Sequence, residues 1–286
     1  MLQDALRKTA GRLDTLEQGR ATEGARIVLS ADLTLYVRSD GNDANSGQTN
    51  DAAGAFATIQ GAVDRVRSSY ESDQFGITIQ LQTGTWNVTS TITLGPHSIS
   101  GGVNLRGDPT TPSNVIVAGV TEGMWIFLPQ FQGRGPWKLQ GMRLQRGGAA
   151  TNVNEVLARW RANVELHNME FGNAGGGVHI YAVEYAQVAI HTSYGIVGSA
   201  AYHLYADRNA LIEDVGAAIN GTITNTPTFS IFALAVHGTI HLPNVTFSAG
   251  ALTVGVKQYE ANNLGEVKGT YPGSVAGTTS GNGIKT

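Results

Sequence analysis

Six carboxylate residues in the second half of the chain are the side chains best suited to catalysis. Two carboxylates held about 5–5.5 Å apart cleave a glycosidic bond with retention, and a separation of about 6.5–9.5 Å gives inversion. Glu184 and Asp207 are separated by about one repeat of the chain, so a repeating fold could bring them together. No motif for a reaction accompanies them, and the favoured alternative is that they are solvated carboxylates on loops or in the trimer interface. The six are Glu165, Glu170, Glu184, Asp207, Glu213 and Asp214.

Four histidines lie in the same region, and two of them, His179 and His203, occupy matching positions in neighbouring repeats. A column of stacked histidines offers at most two ligands to one ion, which is too few for a typical metal site. We therefore predict a hydrogen-bonded histidine ladder on the surface and no metal site. The four are His179, His191, His203 and His237.

A loop rich in Asp, Asn and Gly spans residues 39–47. Asp40 and Asn42 begin it like a calcium-binding loop, but Ala44 interrupts the series and no glutamate closes it. We predict a turn-rich connection there, and no cofactor.

The composition limits the classes of partner. Charged residues are 14% of the 286 residues and the net charge is −3, which argues against a nucleic-acid-binding or polybasic membrane-surface protein. The chain has no cysteine, so it contains no disulfide or thiolate metal site. We expect neither a signal peptide nor a transmembrane helix, since no long apolar run occurs.

Hydrophobic periodicity predicts one helix followed by many short strands. Phe56, Ile59, Ala62, Val63 and Val66 recur at helical spacing, and the helix is expected to end near residues 68–69. From Ile77 onward apolar residues alternate with polar ones in short runs separated by turns. This pattern continues through most of the remaining chain, a length that favours a solenoid or a barrel.

Internal repeats favour the solenoid. The segments 178–182, 202–206 and 230–233 resemble one another, and their aliphatic residues Ile180, Leu204 and Ile231 recur at similar intervals. Leu157 precedes Ile180 by nearly the same interval. One repeat of this length, roughly two dozen residues, corresponds to one coil of a parallel β-helix.

Alternation along these strands predicts a column of outward side chains. If the three aliphatic residues point inward, their neighbours point outward. Aromatic rings in a row on a rod are explained by sugar stacking or by burial against a neighbouring protomer, and both explanations stay open. The predicted ligand-binding column is His179, Tyr181, His203, Tyr205 and Phe232.

The first segment of the chain carries a short heptad pattern. Its apolar seam alternates spacings of four and three, as in a coiled coil, and the charged residues lie outside it. The seam is expected to serve attachment or trimerisation. It consists of Leu2, Leu6, Thr9, Leu13 and Leu16.

Two segments resemble a known family. YVRSDGNDANSG at 36–47, followed by AFATIQGAV at 55–63, resembles the opening of pectate-lyase-like β-helix proteins from phages and prophages. YPGSVAGT at 271–278 resembles the C-terminal segments of prophage tail-fibre proteins. The resemblance covers roughly residues 33–280. It implies a right-handed parallel β-helix with a capping helix, and the family includes depolymerases, receptor binders and structural spikes.

We therefore predict an all-β fold, a right-handed parallel β-helix solenoid with a short N-terminal α-helical segment and a capping helix. The expected organisation is an N-terminal helix and linker (1–24), a strand, loop and capping helix (25–76), the β-helix (77–260) and a C-terminal segment (261–286).

The expected function is that of a homotrimeric virion fibre or spike on the surface of a phage or phage-like particle, recognising host cell-surface polysaccharide. The expected partners are two further copies of the chain, a particle protein that docks the N-terminal helix, and a host glycan, with no nucleic acid and no membrane insertion. The alternatives are a polysaccharide depolymerase, hydrolase or lyase, on the same β-helix, and a purely structural head or tail decoration. The sequence leaves catalysis undecided and favours a role without it.

Deleting residues 1–20 should leave a folded rod that no longer joins particles. The seam is shorter than three heptads and too weak to be the sole trimer contact, so docking to the particle is its expected role. Incorporation is measured by sedimenting particles assembled with the full or shortened chain. Normal incorporation of the shortened chain would contradict the docking role.

Overall fold

The computed structural model describes residues 26–248, 252 and 256–286. Within these residues the chain forms a parallel β-solenoid of about seven coils with one short α-helix, so the predicted fold class is confirmed. The predicted seam from Leu2 to Leu16 lies outside the described residues.

Three long parallel sheets make up the walls of the solenoid. Sheet A comprises, in spatial order, β6 (Ile92–Leu94), β10 (Trp125–Pro129), β13 (Asn154–Ala158), β16 (Val178–Ala182), β19 (Tyr202–Asp207), β22 (Ile231–Val236), β25 (Lys257–Asn262) and β27 (Thr278–Ser280). Sheet B comprises β2 (Leu33–Val37), β4 (Ile77–Leu81), β8 (Val103–Arg106), β11 (Trp137–Gln140), β14 (Asn163–His167), β17 (Gln187–Ile190), β20 (Leu211–Asp214), β23 (Thr239–Leu242), β26 (Glu266–Gly269) and β28 (Ile284–Lys285). Sheet C comprises β5 (Gly84–Val88), β9 (Val115–Gly119), β12 (Arg143–Arg146), β15 (Glu170–Phe171), β18 (Tyr194–Ile196), β21 (Ile219–Ile223) and β24 (Val245–Phe247).

A small sheet of β1 (Ile27–Val28), β3 (Tyr70–Ser72) and β7 (Ser98–Ile99) lies beside the first coils. The remaining regular elements are helix α1 (Ile59–Ser69) and a 3₁₀ turn at Pro112–Asn114. Sheets A and B continue past the predicted β-helix range of 77–260, because β2 precedes it and the strands from β26 to β28 follow its end.

The core consists of columns of apolar side chains. Ile180 pairs with Leu204 across neighbouring coils, and both side chains are fully buried. Parallel pairing sets equivalent residues about 4.8 Å apart along the axis, so each inward position is in contact with the same position of the next coil. Burial of these columns is the main favourable term for a chain without disulfides.

Two of the predicted repeat alignments are wrong in register. Val156, not Leu157, pairs with Ile180, and Ile231 pairs with Tyr202 rather than with Leu204. Ala233 is the partner of Leu204, because the connection between these coils is longer than a fixed repeat allows. A shift of one residue in a strand exchanges inward and outward positions, so Leu157 falls in the outward column of Tyr181 rather than in the inward column of Ile180.

Helix α1 packs on the first coils with the apolar face predicted for it. Its residues Ile59, Ala62, Val63 and Val66 are buried, and the helix contacts β2, β4 and β6. A bare solenoid end would expose unpaired backbone and core side chains, so this helix serves as the N-terminal cap.

The Asp/Asn/Gly-rich loop holds this cap in place. Asp43 Oδ1 accepts hydrogen bonds from the backbone N–H groups of Ala57 and Thr58, and Thr58 Oγ1 accepts one from Gly61 N–H at the start of the helix. Asp40 forms an ion pair with Arg38. The loop carboxylates are thus occupied by the protein itself, as expected for a turn-rich connection.

No helix among residues 26–248 and 256–286 is long and apolar enough to cross a bilayer.

Candidate functional site: an aromatic ridge along the solenoid

The turns from sheet A to sheet B use left-handed backbone conformations in successive coils. Phe131, Trp160, Tyr185, Asn209 and Leu264, from five of these turns, all have φ between 54° and 70°. This conformation costs a non-glycine residue roughly 1–2 kcal/mol. Backbone hydrogen bonds between the turns offset the cost, as when Tyr185 N–H donates to the Arg208 carbonyl at 3.1 Å.

Three of these turns carry exposed aromatic rings. The exposed fractions are 49% for Phe131, 36% for Trp160 and 61% for Tyr185. The Phe131 and Trp160 rings lie 4.9 Å apart, centroid to centroid. We call Phe131, Trp160 and Tyr185 the aromatic ridge. Large aromatic residues in a strained and exposed backbone conformation are a sign of function, because neither burial nor backbone preference explains them.

Two arginines border the ridge. The Arg159 guanidinium carbon lies 3.6 Å from the Trp160 ring centroid, and that of Arg161 lies 5.9 Å from the Tyr185 ring centroid. Such cation–π contacts hold the rings in place, and Arg159 Nη2 also donates to Gln130 Oε1 at 3.3 Å.

A shallow polar groove of about 250 Å³ adjoins the ridge. Apolar rings beside hydrogen-bonding amides match a sugar ring, which has apolar C–H faces and an equatorial rim of hydroxyls. The groove is lined by Gln132, Arg161, Ala162, Asn163, Tyr185 and Gln187.

Sequence reasoning missed the ridge, although a signal was present. Ala158 and Ala182 occupy equivalent positions, so the residues after them, Trp160 with Arg161 and Glu184 with Tyr185, fall in equivalent turns. Extending the repeat alignment from the strands into the turns would have placed aromatic residues at neighbouring heights.

Two tyrosines of the predicted column do lie on the outer surface. Tyr181 and Tyr205 pair across β16 and β19, are half-buried, and stack face to face at 4.4 Å with 14° between their planes. Trp125 lies 5.9 Å from Tyr181, and Tyr202 lies 5.6 Å from Tyr205. The ring faces are therefore occupied by one another, and mainly ring edges are presented outward.

The other three members of that column are inside the solenoid. His179, His203 and Phe232 are fully buried, so the predictions of an outward column and of a histidine surface ladder are wrong for them. Val178 pairs with Tyr202, and Ile180 pairs with Leu204. The residues between them, His179 and His203, are left out of the pairing. Strict alternation is interrupted there, and two consecutive side chains, such as His179 and Ile180, both face the interior.

The buried histidines form a directed hydrogen-bond chain. His179 Nε2 lies 2.9 Å from the Gly172 carbonyl, which only accepts, so this nitrogen carries the proton. His179 Nδ1 must then accept from His203 Nδ1, 2.9 Å away, and His203 Nε2 accepts from the Tyr194 hydroxyl at 3.2 Å. Burial lowers the pKa of His179 to about 3 and that of His203 well below its usual value, so both rings are neutral.

Glu155 occupies the same inner position one coil earlier. Its side chain is fully buried, and neither carboxyl oxygen makes a hydrogen bond to a described residue. His179 Nε2 lies 4.0 Å from Glu155 Oε1. Burial raises the pKa of Glu155 well above its usual value, so the carboxyl group is held in its neutral form.

The six candidate carboxylates do not converge on a single cleft. Asp207 and Glu184 both contact Arg208, at 3.7 Å and 3.0 Å, but Glu184 stands opposite Arg208 in the register rather than opposite Asp207. The others bind their own protein partners. Glu170 pairs with Arg143, Glu165 with Lys138 and His167, Glu213 with Gln187, and Asp214 with Asn244.

A second polar cluster lies on the outer face of sheet B. The ligand atoms of Glu165, His167 and His191 lie within 4.8 Å of one another. Sequence reasoning foresaw no metal site because it considered histidines one coil apart in sheet A and overlooked the pairing of β14 with β17.

These features define a parallel β-helix with an aromatic ridge and a polar groove on its surface. No protein-family model, no curated protein and no solved structure matches the chain in the comparisons made.

Replacing Glu155 with Gln should remove a loss of stability that begins as pH rises above 4.5. The folded state holds the Glu155 proton above pH 4.5, where the unfolded chain releases it, so the free energy of unfolding falls as pH rises toward the folded pKa. The slope in that window is about 1.4 kcal/mol per pH unit for one proton, and Glu155→Gln abolishes it.

The histidines give the opposite dependence in both proteins. Because the unfolded chain binds a proton that buried His179 does not, the free energy of unfolding falls as pH decreases from 6.5 toward about 3. Urea denaturation across the pH range measures both slopes. An unchanged slope above pH 4.5 in Glu155→Gln would contradict the assignment. The slope below pH 4.5, where Glu155 is protonated in the folded and the unfolded chain, is shared by both proteins and serves as the internal control.

Proposed function

We propose that the chain is the subunit of a homotrimeric fibre or spike on a bacteriophage or phage-like particle, and that it recognises polysaccharide on the host cell surface. The aromatic ridge beside its polar groove is the observation that carries the glycan-binding role. A parallel β-helix is compatible with a tailspike or polysaccharide-binding role.

The ridge suits an extended ligand. Phe131, Trp160 and Tyr185 come from three successive coils, so the rings are spaced along the axis of a rigid rod. A polysaccharide lying along this axis would contact several rings at once, and each contact buries apolar area on both partners. Because the turns are fixed by hydrogen bonds between coils, little ordering is needed on binding.

The polar lining supports selection among glycans. Gln132 and Asn163 offer amide donors and acceptors, Gln187 offers its amide oxygen while its Nε2 donates to Glu213, and Arg161 adds a fixed positive charge. Hydrogen bonds to hydroxyl groups reject ligands that lack them more strongly than apolar contacts do.

The outer face of sheet A supports the trimer. One outward column there runs Leu128, Leu157, Tyr181, Tyr205 and Leu234 through five paired strands. Leu128 and the two tyrosines are its half-buried members, while Leu157 and Leu234 are only 7% exposed. The corresponding columns of sheet B carry charged and polar groups such as Lys138, Glu165 and Glu213. An apolar stripe on one of three faces is the composition expected where copies of the chain meet.

The phage setting rests on the resemblance of residues 36–47 and 55–63, where a loop and a capping helix precede the coils. On this proposal the chain is made in the bacterial cytoplasm and resides on the particle surface, docked through its N-terminal segment. Catalysis is not part of the proposal, since each candidate carboxylate is engaged by a neighbouring protein group.

Trp160→Ala and Tyr185→Ala should each weaken binding to bacterial surface polysaccharide by about tenfold or more, since central aromatic contacts dominate such interfaces. Binding is measured on an array of purified capsular polysaccharides and lipopolysaccharides, with assays for new reducing ends and for unsaturated uronate. Leu264→Ala is the matched control, because Leu264 is an exposed residue of an equivalent turn far along the rod. If the ridge variants no longer have the mass of a trimer but still bind polysaccharide, the glycan-binding role of the ridge is contradicted.

Tyr181→Ala and Tyr205→Ala should lower the melting temperature and the proportion of trimer, because their faces are occupied and their edges lie on the apolar stripe. Sedimentation of the wild-type chain should give the mass of a trimer at micromolar concentration. A wild-type monomer would contradict the assembly. Tyrosine variants that lose glycan binding with unchanged mass and melting would place the sugar on sheet A instead.

A further inference from the structure

We infer that Glu165, His167 and His191 form a binding site for one Zn²⁺ ion on the outer face of sheet B. The site is independent of the aromatic ridge and of the glycan-binding proposal.

The fold brings the three side chains together by two separate rules. Glu165 and His167 are two residues apart on β14, so alternation directs both to the same face. His191 follows β17, whose Ile190 pairs with Leu166, and this register sets His191 beside His167. The two imidazole rings are stacked at 4.6 Å with 18° between their planes.

A small residue stands opposite Glu165. In the pairing of β14 with β17 that residue is Ala189, whose side chain is a single methyl group, and His191 is the diagonal neighbour of Glu165. Glu165 therefore reaches diagonally toward His191 while it also contacts His167.

The distances between donor atoms suit a single ion. Glu165 Oε2 lies 3.2 Å from His167 Nε2, and Glu165 Oε1 lies 4.0 Å from His191 Nε2. Two ligands bound tetrahedrally to one Zn²⁺ at about 2.1 Å are about 3.4 Å apart. The two imidazole rings must tilt out of their stacked arrangement for both nitrogens to point at one ion. The separation of 4.0 Å is too long for a hydrogen bond, and it must shorten to about 3.4 Å for both atoms to bind one ion tetrahedrally.

The chemistry of the donors selects the metal. Two imidazole nitrogens and one carboxylate suit Zn²⁺ and neighbouring transition metals, whereas Mg²⁺ and Ca²⁺ prefer sites made of oxygen ligands. The three side chains are 18–28% exposed, so an ion can reach them from solvent and a water molecule can serve as the fourth ligand. The bound ion would join two neighbouring coils across β14 and β17.

Lys138 limits the affinity of this site. Its Nζ lies 3.4 Å from Glu165 Oε2, so its positive charge competes with the metal for the carboxylate. Lys138→Met should therefore tighten Zn²⁺ binding several-fold, a change that a purely structural role of the cluster does not predict.

The test is calorimetric titration of Zn²⁺ into the full chain, prepared without a histidine tag and stripped with chelator. We expect one Zn²⁺ per chain, a higher melting temperature in its presence, and no heat with Mg²⁺. His167→Gln, His191→Gln and Glu165→Gln should each weaken binding by about tenfold or more. His237→Gln is the matched control, because His237 is exposed and outside the cluster, and it should bind as wild type does.

Metal-free melting curves show whether each variant is folded, and Co²⁺ absorption gives a second readout of a site with nitrogen ligands. Absence of Zn²⁺ uptake by the wild-type chain would overturn the inference. So would undiminished binding in both His167→Gln and His191→Gln, or an equal loss in His237→Gln.

Discussion

Hydrogen bonding between successive coils is the constraint on which the rest of this structure depends. Each strand of the three sheets pairs in parallel with the equivalent strand of the next coil, so a residue is repeatedly placed about 4.8 Å from its counterpart. Columns of like side chains follow directly. Ile180 on Leu204, Tyr181 on Tyr205 and His167 on His191 are three outcomes of the same rule, in the core, on sheet A and on sheet B.

The same rule makes ionisable groups costly inside the solenoid. A charged group in the core cannot be solvated by water, and the coils above and below fix its neighbours, so they cannot rearrange to stabilise the charge. The column of Glu155, His179 and His203 is accommodated because each group is neutral and because the two histidines share one directed hydrogen-bond chain that ends on Gly172 and Tyr194. Glu155 stands outside that chain, and burial keeps its carboxyl group neutral.

The surface of the solenoid is divided by chemistry. Sheet A presents an apolar stripe, sheet B presents ionisable groups, and the turns between them present the aromatic ridge. Turns tolerate this specialisation because they contribute little to the core, while hydrogen bonds between coils hold even strained turns rigidly. A rigid rod with distinct faces can assemble through one face and bind ligands on another.

Local sequence patterns determined the fold class. Period-two alternation from Ile77 onward, repeats of nearly constant length and the helical spacing from Ile59 to Val66 are properties of short segments, and they predicted strands, coils and cap. They also predicted that Ile180 and Leu204 stack and that Tyr181 and Tyr205 face outward.

Register and corner geometry were decided only by the tertiary structure. The longer connection before β22 moved Ile231 by two positions, and the break in alternation turned His179, His203 and Phe232 inward. The aromatic ridge and the Glu165–His167–His191 cluster arise from residues in different coils. Their proximity follows from the pairing of whole coils, which the pattern within a single strand or turn does not encode.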